Sequence, residues 1–152
     1  VELLGGAEQP RAVFTSGDTL VVRLQYRARV PVQDPVFVIA IYRLDGVVVN
    51  QSISSKDGVH FGTVEGEGYV DIRFAPLLIG KGKYVLSAAI FPVMDLLDVH
   101  GHNPYSLHDR RYELTIEQPL DCAIELGLVC HPVEWRRLST PISRSGWRSA
   151  VA

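Results

Sequence analysis

Hydrophobic and polar positions alternate along most of this chain. Behind the segment Phe14-Thr15-Ser16-Gly17-Asp18, residues Leu20, Val22, Leu24, Tyr26 and Ala28 share one side of an extended backbone. Val21, Arg23, Gln25, Arg27 and Arg29 share the other. A period of two with a turn before it predicts a half-buried antiparallel strand. Pro31, Asp34 and Pro35 are expected to break it. Val36 to Leu44 reads as a second strand, with Phe37, Ile39 and Ile41 on one face and Val36, Val38, Ala40 and Tyr42 on the other. Both faces are apolar, which predicts a central strand covered on both sides. Asp45-Gly46 ahead of Val47-Val48-Val49 is a strong hairpin signal.

Further along, Asn50 to Ser55 is mostly polar and Asp57-Gly58 marks another turn. Gly62, Gly66 and Gly68 punctuate a stretch expected to be weakly structured. Val70, Ile72 and Phe74 alternate up to Pro76, and Tyr84 to Phe91 is a long apolar strand. Leu77 to Tyr84 resembles the tyrosine corner of immunoglobulin-like sandwiches, in which a Tyr hydroxyl reaches back to the backbone just upstream. Pro92 to Asp109 is the one long irregular loop. Tyr112, Leu114 and Ile116 mark another strand, and Gly127 to Trp135 reads as a possible last one. No helix of convincing length and no internal repeat is evident. Strands at this spacing predict an all-β fold, an immunoglobulin-like antiparallel β-sandwich.

Composition narrows the class. The chain has 152 residues, 47% hydrophobic and 21% charged, as in a globular domain of ordinary size. A formal net charge of -2 gives no global field for nucleic acid. The opening Val1-Glu2-Leu3-Leu4 reads as part of a strand in a piece of a longer protein. Residues 136–152, with Arg136, Arg137, Arg144 and Arg148, lack an apolar period and are expected to be flexible, or ordered only against something else. Cys122 and Cys130 are too few for a disulfide framework and read as free thiols.

Candidate chemistry is sparse. His100, His102, His108 and Asp109 are suitable zinc ligands, although a solvated loop with ordinary hydrogen bonding is the better explanation of them. Ser16 lies in a turn, not in a strand-to-helix elbow. Cys122 and Cys130 lie near His131 only in sequence, and the pairs Asp95/Asp98 and Glu65/Glu67 read as solvated charges. Gly80-Lys81-Gly82-Lys83 lacks the spacing of a phosphate loop. The residues favour a binding module over an enzyme, with no cofactor and no metal.

The order of motifs resembles the C-terminal carbohydrate-binding domain of Wzt, the ATPase subunit of ABC transporters that export bacterial O-antigen polysaccharide. The resemblance is carried by Phe14-Thr15-Ser16-Gly17-Asp18 with Leu20 to Tyr26, and by Asp34-Pro35-Val36-Phe37 with Ile39, Ile41, Arg43 and Asp45-Gly46. It continues through Gly66, Gly68 and Tyr69, then Leu77, Gly82, Tyr84 and Leu86, then His108-Asp109, Tyr112 and Gly127-Leu128-Val129 up to Trp135. It spans residues 1–135. His108 stands where an aromatic residue is expected. The resemblance implies a non-catalytic sandwich that recognises the non-reducing end of the polysaccharide. The attached ATPase domain and a transmembrane subunit would hold it in the cytoplasm, peripheral to the inner membrane. It also implies a homodimer whose last strand, about 127–135, crosses to the partner.

Strand parity then selects residues. If Tyr84 points inward, Val85, Ser87, Ala89 and Phe91 face outward beside Val36, Val38, Ala40 and Tyr42. Such a platform is too apolar for bare water and calls for a ligand or a partner strand. Tyr42, Asn50, Gln51, Ser87 and Phe91 supply the aromatic rings and planar polar groups that sugars need. Asn50 and Gln51 are adjacent, so only one can face the platform. Tyr42 and Phe91 serve equally well to seal a dimer. Trp135 and Val129 are assigned to that dimer interface. The alternative function is an immunoglobulin-like structural or adhesion module with protein partners. A metal-dependent hydrolase centred on His100, His102 and His108 is a third.

Overall fold

Eight strands form the chain in a computed structural model that describes residues 1–137. They are β1 (Glu2–Leu4), β2 (Val13–Thr15), β3 (Leu20–Gln33), β4 (Val36–Arg43), β5 (Val48–Ile53), β6 (Thr63–Phe74), β7 (Gly82–Phe91) and β8 (Ser106–Glu117). No helix occurs among the described residues. Two sheets stack face to face. One has three antiparallel strands in the order β1-β3-β6, and the other has five in the order β2-β8-β7-β4-β5. Only β2 runs parallel to its neighbour, β8.

The inward residues are those that alternation selects. Leu20, Val22 and Leu24 of β3 meet Phe37, Ile39 and Ile41 of β4, Tyr84, Leu86 and Ala88 of β7, and Leu114 and Ile116 of β8. Each alternating strand hides one apolar row, and two stacked sheets are the arrangement that buries them all. The tyrosine corner is present: the buried Tyr84 hydroxyl donates to the Gly80 carbonyl at 2.8 Å. Burial raises the Tyr84 phenol above its ordinary pKa of 10.0.

Three sequence expectations need correction. The first strand does not break at Pro31. β3 continues to Gln33 because its ladder with β6 skips from Ala28 to Val32, and the bulge accommodates a residue without an N–H. The glycine-rich stretch 62–68 is not weakly structured. From Thr63 on it forms the first part of β6, pairing as Arg27↔Glu67, Ala28↔Gly66 and Val32↔Val64, with Gly66 supplying a φ of 76°. Its polarity reflects a ribbon that extends past the core into solvent.

The third correction concerns Gly127 to Trp135, which is not a strand within this chain. Among the described residues it makes one isolated bridge, Ile79↔Val129. The Gly80 amide donates to the Leu128 carbonyl and the Cys130 amide to that of Leu78, both at 2.8 Å. This strap needs a glycine at position 80, where a Cβ would stand 1.8 Å from the Gly127 carbonyl oxygen. Of the predicted tail 136–152, the part beyond residue 137 lies outside the described residues.

Candidate glycan-binding face

The outer side of the five-stranded sheet is built by register. Val36↔Phe91, Val38↔Ala89, Ala40↔Ser87 and Tyr42↔Val85 pair across β4 and β7, and each pair shares one face. On the other flank of β4, Gln51 stands opposite Ala40 and joins this face. Asn50 stands opposite the inward Ile41, and its side-chain oxygen accepts from the Ser52 hydroxyl at 3.1 Å. Alternation therefore keeps Gln51 on the face and removes Asn50 from it.

Ser87 anchors the polar part. The β7–β8 ladder jumps from Leu86↔Tyr112 to Ala88↔His108, so Asp109, Arg110 and Arg111 bulge opposite the single Ser87. The Ser87 hydroxyl donates to the Asp109 carboxylate and accepts from the Arg110 amide, each at 2.8 Å. Arg110 takes a left-handed φ of 49°. Its guanidinium carbon lies 4.8 Å from the centre of the Tyr42 ring. One row thus crosses the sheet from Gln51 over Ala40 and Ser87 to the Asp109–Arg110 bulge, with Tyr42 beside it. Non-glycine residues in this backbone region persist where surrounding bonds impose them, and they concentrate at binding sites.

The opposite end of the platform is not bare, contrary to the sequence expectation. Val36, Val38 and Ala89 are buried with Ile53, Phe91 and Met94, so the loop after β7 folds back over them. Phe91 is half-buried and meets the His102 ring edge-on, centroids 6.3 Å apart. Phe91 is therefore held by its own chain, and the open part of the face lies toward Tyr42. Val129, bridged to Ile79, is 58% exposed and Trp135 is 94% exposed.

Among the described residues, the alternative chemistries are not assembled. His102 Nε2 donates to the Asp98 carbonyl at 2.6 Å. His108, with Asp109, belongs to β8 rather than to the loop, and its Nδ1 is bonded to the Tyr112 hydroxyl. No group of three His, Cys, Asp or Glu side chains able to hold a metal occurs among the described residues. The Ser16 hydroxyl donates to the Ile79 carbonyl at 2.7 Å. Cys122 and Cys130 are half-buried free thiols. No helix among the described residues is long and apolar enough to cross a membrane.

Arg110 and Met94 escaped the sequence reading. A bulge of this kind leaves no periodic signal, and a loop's return over a sheet depends on packing.

Fold and site together define an immunoglobulin-like sandwich with a polar and aromatic outer face. Residues 1–129 match the family model of the Wzt C-terminal domain, and the chain belongs to that family. The crystal structure of the C-terminal domain of Wzt has the same fold, with a TM-score of 0.72 at 15% sequence identity over 90% of this chain and 80% of that one. No curated protein sequence matches the chain significantly.

Proposed function

We propose that this domain binds O-antigen polysaccharide at its non-reducing end and presents it to an ABC transporter. It performs no chemistry itself. An ATPase domain of the same protein would couple it to a transmembrane subunit, placing it on the cytoplasmic side of the inner membrane. The observation that carries this reading is the row Gln51, Asp109 and Arg110, exposed beside Tyr42 on one face over a buried Ser87 whose hydroxyl holds the bulge rather than reaching solvent. Sugars offer hydroxyls to planar polar groups and C–H faces to aromatic rings, and this row supplies both. Family membership supports the ligand class.

Titration calorimetry with the O-polysaccharide of the source strain tests the reading. Saturable binding, weakened by Tyr42→Ala and Gln51→Ala, is the expected result. Absence of heat with both intact and end-modified polysaccharide overturns it. We further propose a homodimer in which the segment 127–135 contacts the partner, since Val129, Val133 and Trp135 stand exposed along it.

A further inference from the structure

Where the β3–β6 ribbon leaves the core, the two sheets part. The bulge between Ala28 and Val32 leaves a cleft of about 390 Å³ between the ribbon and the start of β8, which pairs with β7 through Ile90↔Ser106. Tyr26, Phe37 and Ile90 line its apolar part, and Tyr105, His108 and Arg29 line its mouth. The Tyr26 and Phe37 rings are tilted at 51° with centroids 5.7 Å apart. The Tyr112 hydroxyl engages His108 Nδ1, which fixes the imidazole and leaves Nε2 without a hydrogen bond among the described residues. Arg27 is paired with Glu67, whereas Arg29 makes no ion pair among the described residues. Tyr105 is 60% exposed.

We infer that this cleft is a second saccharide site, for one sugar ring bearing an anionic substituent. The inference rests on the glycan-binding reading but places a different ring in a different location. Ile90 borders the cleft on the inner side of β7, whereas the Ser87 row lies on the outer side of the sheet and further along the strand, so the two sites are separate. The volume suits a small ligand, and ligand sites combine apolar walls with a few convergent polar groups. The aromatic rings suit the C–H face of a pyranose. His108 Nε2 suits a ring hydroxyl, and Arg29 at the lip suits a carboxylate or phosphate on that ring. A purely apolar ligand would leave the His and Arg unused, and a free anion would leave the rings unused. Pro31 and Gly66 belong to the bulge that creates the opening, so the site originates in residues that otherwise only interrupt a strand.

Amide and side-chain NMR of the whole chain tests this with galacturonate, galactose 1-phosphate, galactose and inorganic phosphate as probes. Saturable shifts at Tyr26, Tyr105 and His108 are expected with the two anionic sugars, and weaker ones with galactose. Whichever anionic sugar binds more tightly identifies the substituent. Arg29→Gln and Tyr105→Ala, both at the exposed lip, should each weaken these shifts about tenfold in apparent affinity while leaving the rest of the spectrum unchanged. Shifts confined to Tyr42, Gln51 and Arg110 would overturn the second site and leave the outer-face reading intact. Shifts in the cleft without any at the outer face would support it and count against that reading. Equal response to inorganic phosphate alone, or no cleft response to any sugar, overturns the inference.

Discussion

The Tyr84 hydroxyl and the Gly80 carbonyl hold each other where the chain turns into β7. Removing a buried partner costs roughly 1–3 kcal/mol, so Tyr84→Phe should lower stability by about that amount in urea denaturation. The same residue sets an alkaline limit. Its phenol pKa is raised by burial, so above pH 10.0, the unfolded value, the folded chain holds more protons than the unfolded one. Stability should be level below that pH and fall as pH rises beyond it, with the slope reduced in Tyr84→Phe. At the acid end, the Arg23 guanidinium bonds both Asp71 oxygens at 2.8 Å and lowers that carboxyl below 3.8. Asp34 is lowered by His60 and by the Phe61 amide. A depressed carboxyl stabilises above its unfolded pKa and loses the effect as pH falls through the folded one. Acid titration by circular dichroism should show that decline below pH 3.8, flattened in Asp71→Asn.

At the scale of elements, the bulge in β8 holds Arg110 in a left-handed conformation that a glycine adopts freely. A non-glycine residue there costs about 1 kcal/mol, comparable to the roughly 0.5–1 kcal/mol of an exposed cation–π contact with Tyr42. Arg110→Gly should therefore leave the denaturation midpoint nearly unchanged while weakening polysaccharide binding in calorimetry. A large loss of stability would mean that Arg110 is structural. Ser87→Ala should act differently. It leaves the Arg110 amide without its acceptor, which should lower stability by about 1–2 kcal/mol and binding as well. The strap at 127–130 offers a third contrast. Gly80→Ala must displace the Gly127 carbonyl, and overpacking of that kind costs about 1–3 kcal/mol.

For the whole molecule, the segment after β8 leaves a series of large apolar side chains uncovered. Leu120, Ile124, Val133 and Trp135 are all largely exposed in a single chain. Large aromatic side chains of this kind anchor interfaces when a partner covers them. In the proposed homodimer, Trp135→Ala combined with Val133→Ser should shift the light-scattering mass from dimer to monomer. An unchanged dimer would place the interface elsewhere, for example at the free edge of β5. These two substitutions spare Leu128, which packs on the core, so a change in mass would not reflect unfolding.

Alternation in Leu20–Tyr26, Val36–Tyr42, Tyr84–Phe91 and Tyr112–Ile116 determined the sandwich, the inward rows and the outward set Tyr42, Ser87 and Phe91. The reason is local: side-chain parity in a strand follows from backbone geometry alone. The hairpin at Asp45-Gly46 and the corner at Tyr84 were legible for the same reason, since each depends on a few consecutive residues. What only the tertiary structure decided depends on pairing between distant strands. Gln51 rather than Asn50 faces outward because of how β5 registers against β4, and the skip in that ladder has no marker in Val48–Ile53. Arg110 reaches Tyr42 because β8 carries extra residues against Ser87, which can be counted only once β7 lies beside it. The continuation of β3 past Pro31 follows likewise from β6 pairing on either side of the bulge. The Met94 cover and the cleft between the sheets arise from packing of segments far apart in the chain, which no periodicity encodes.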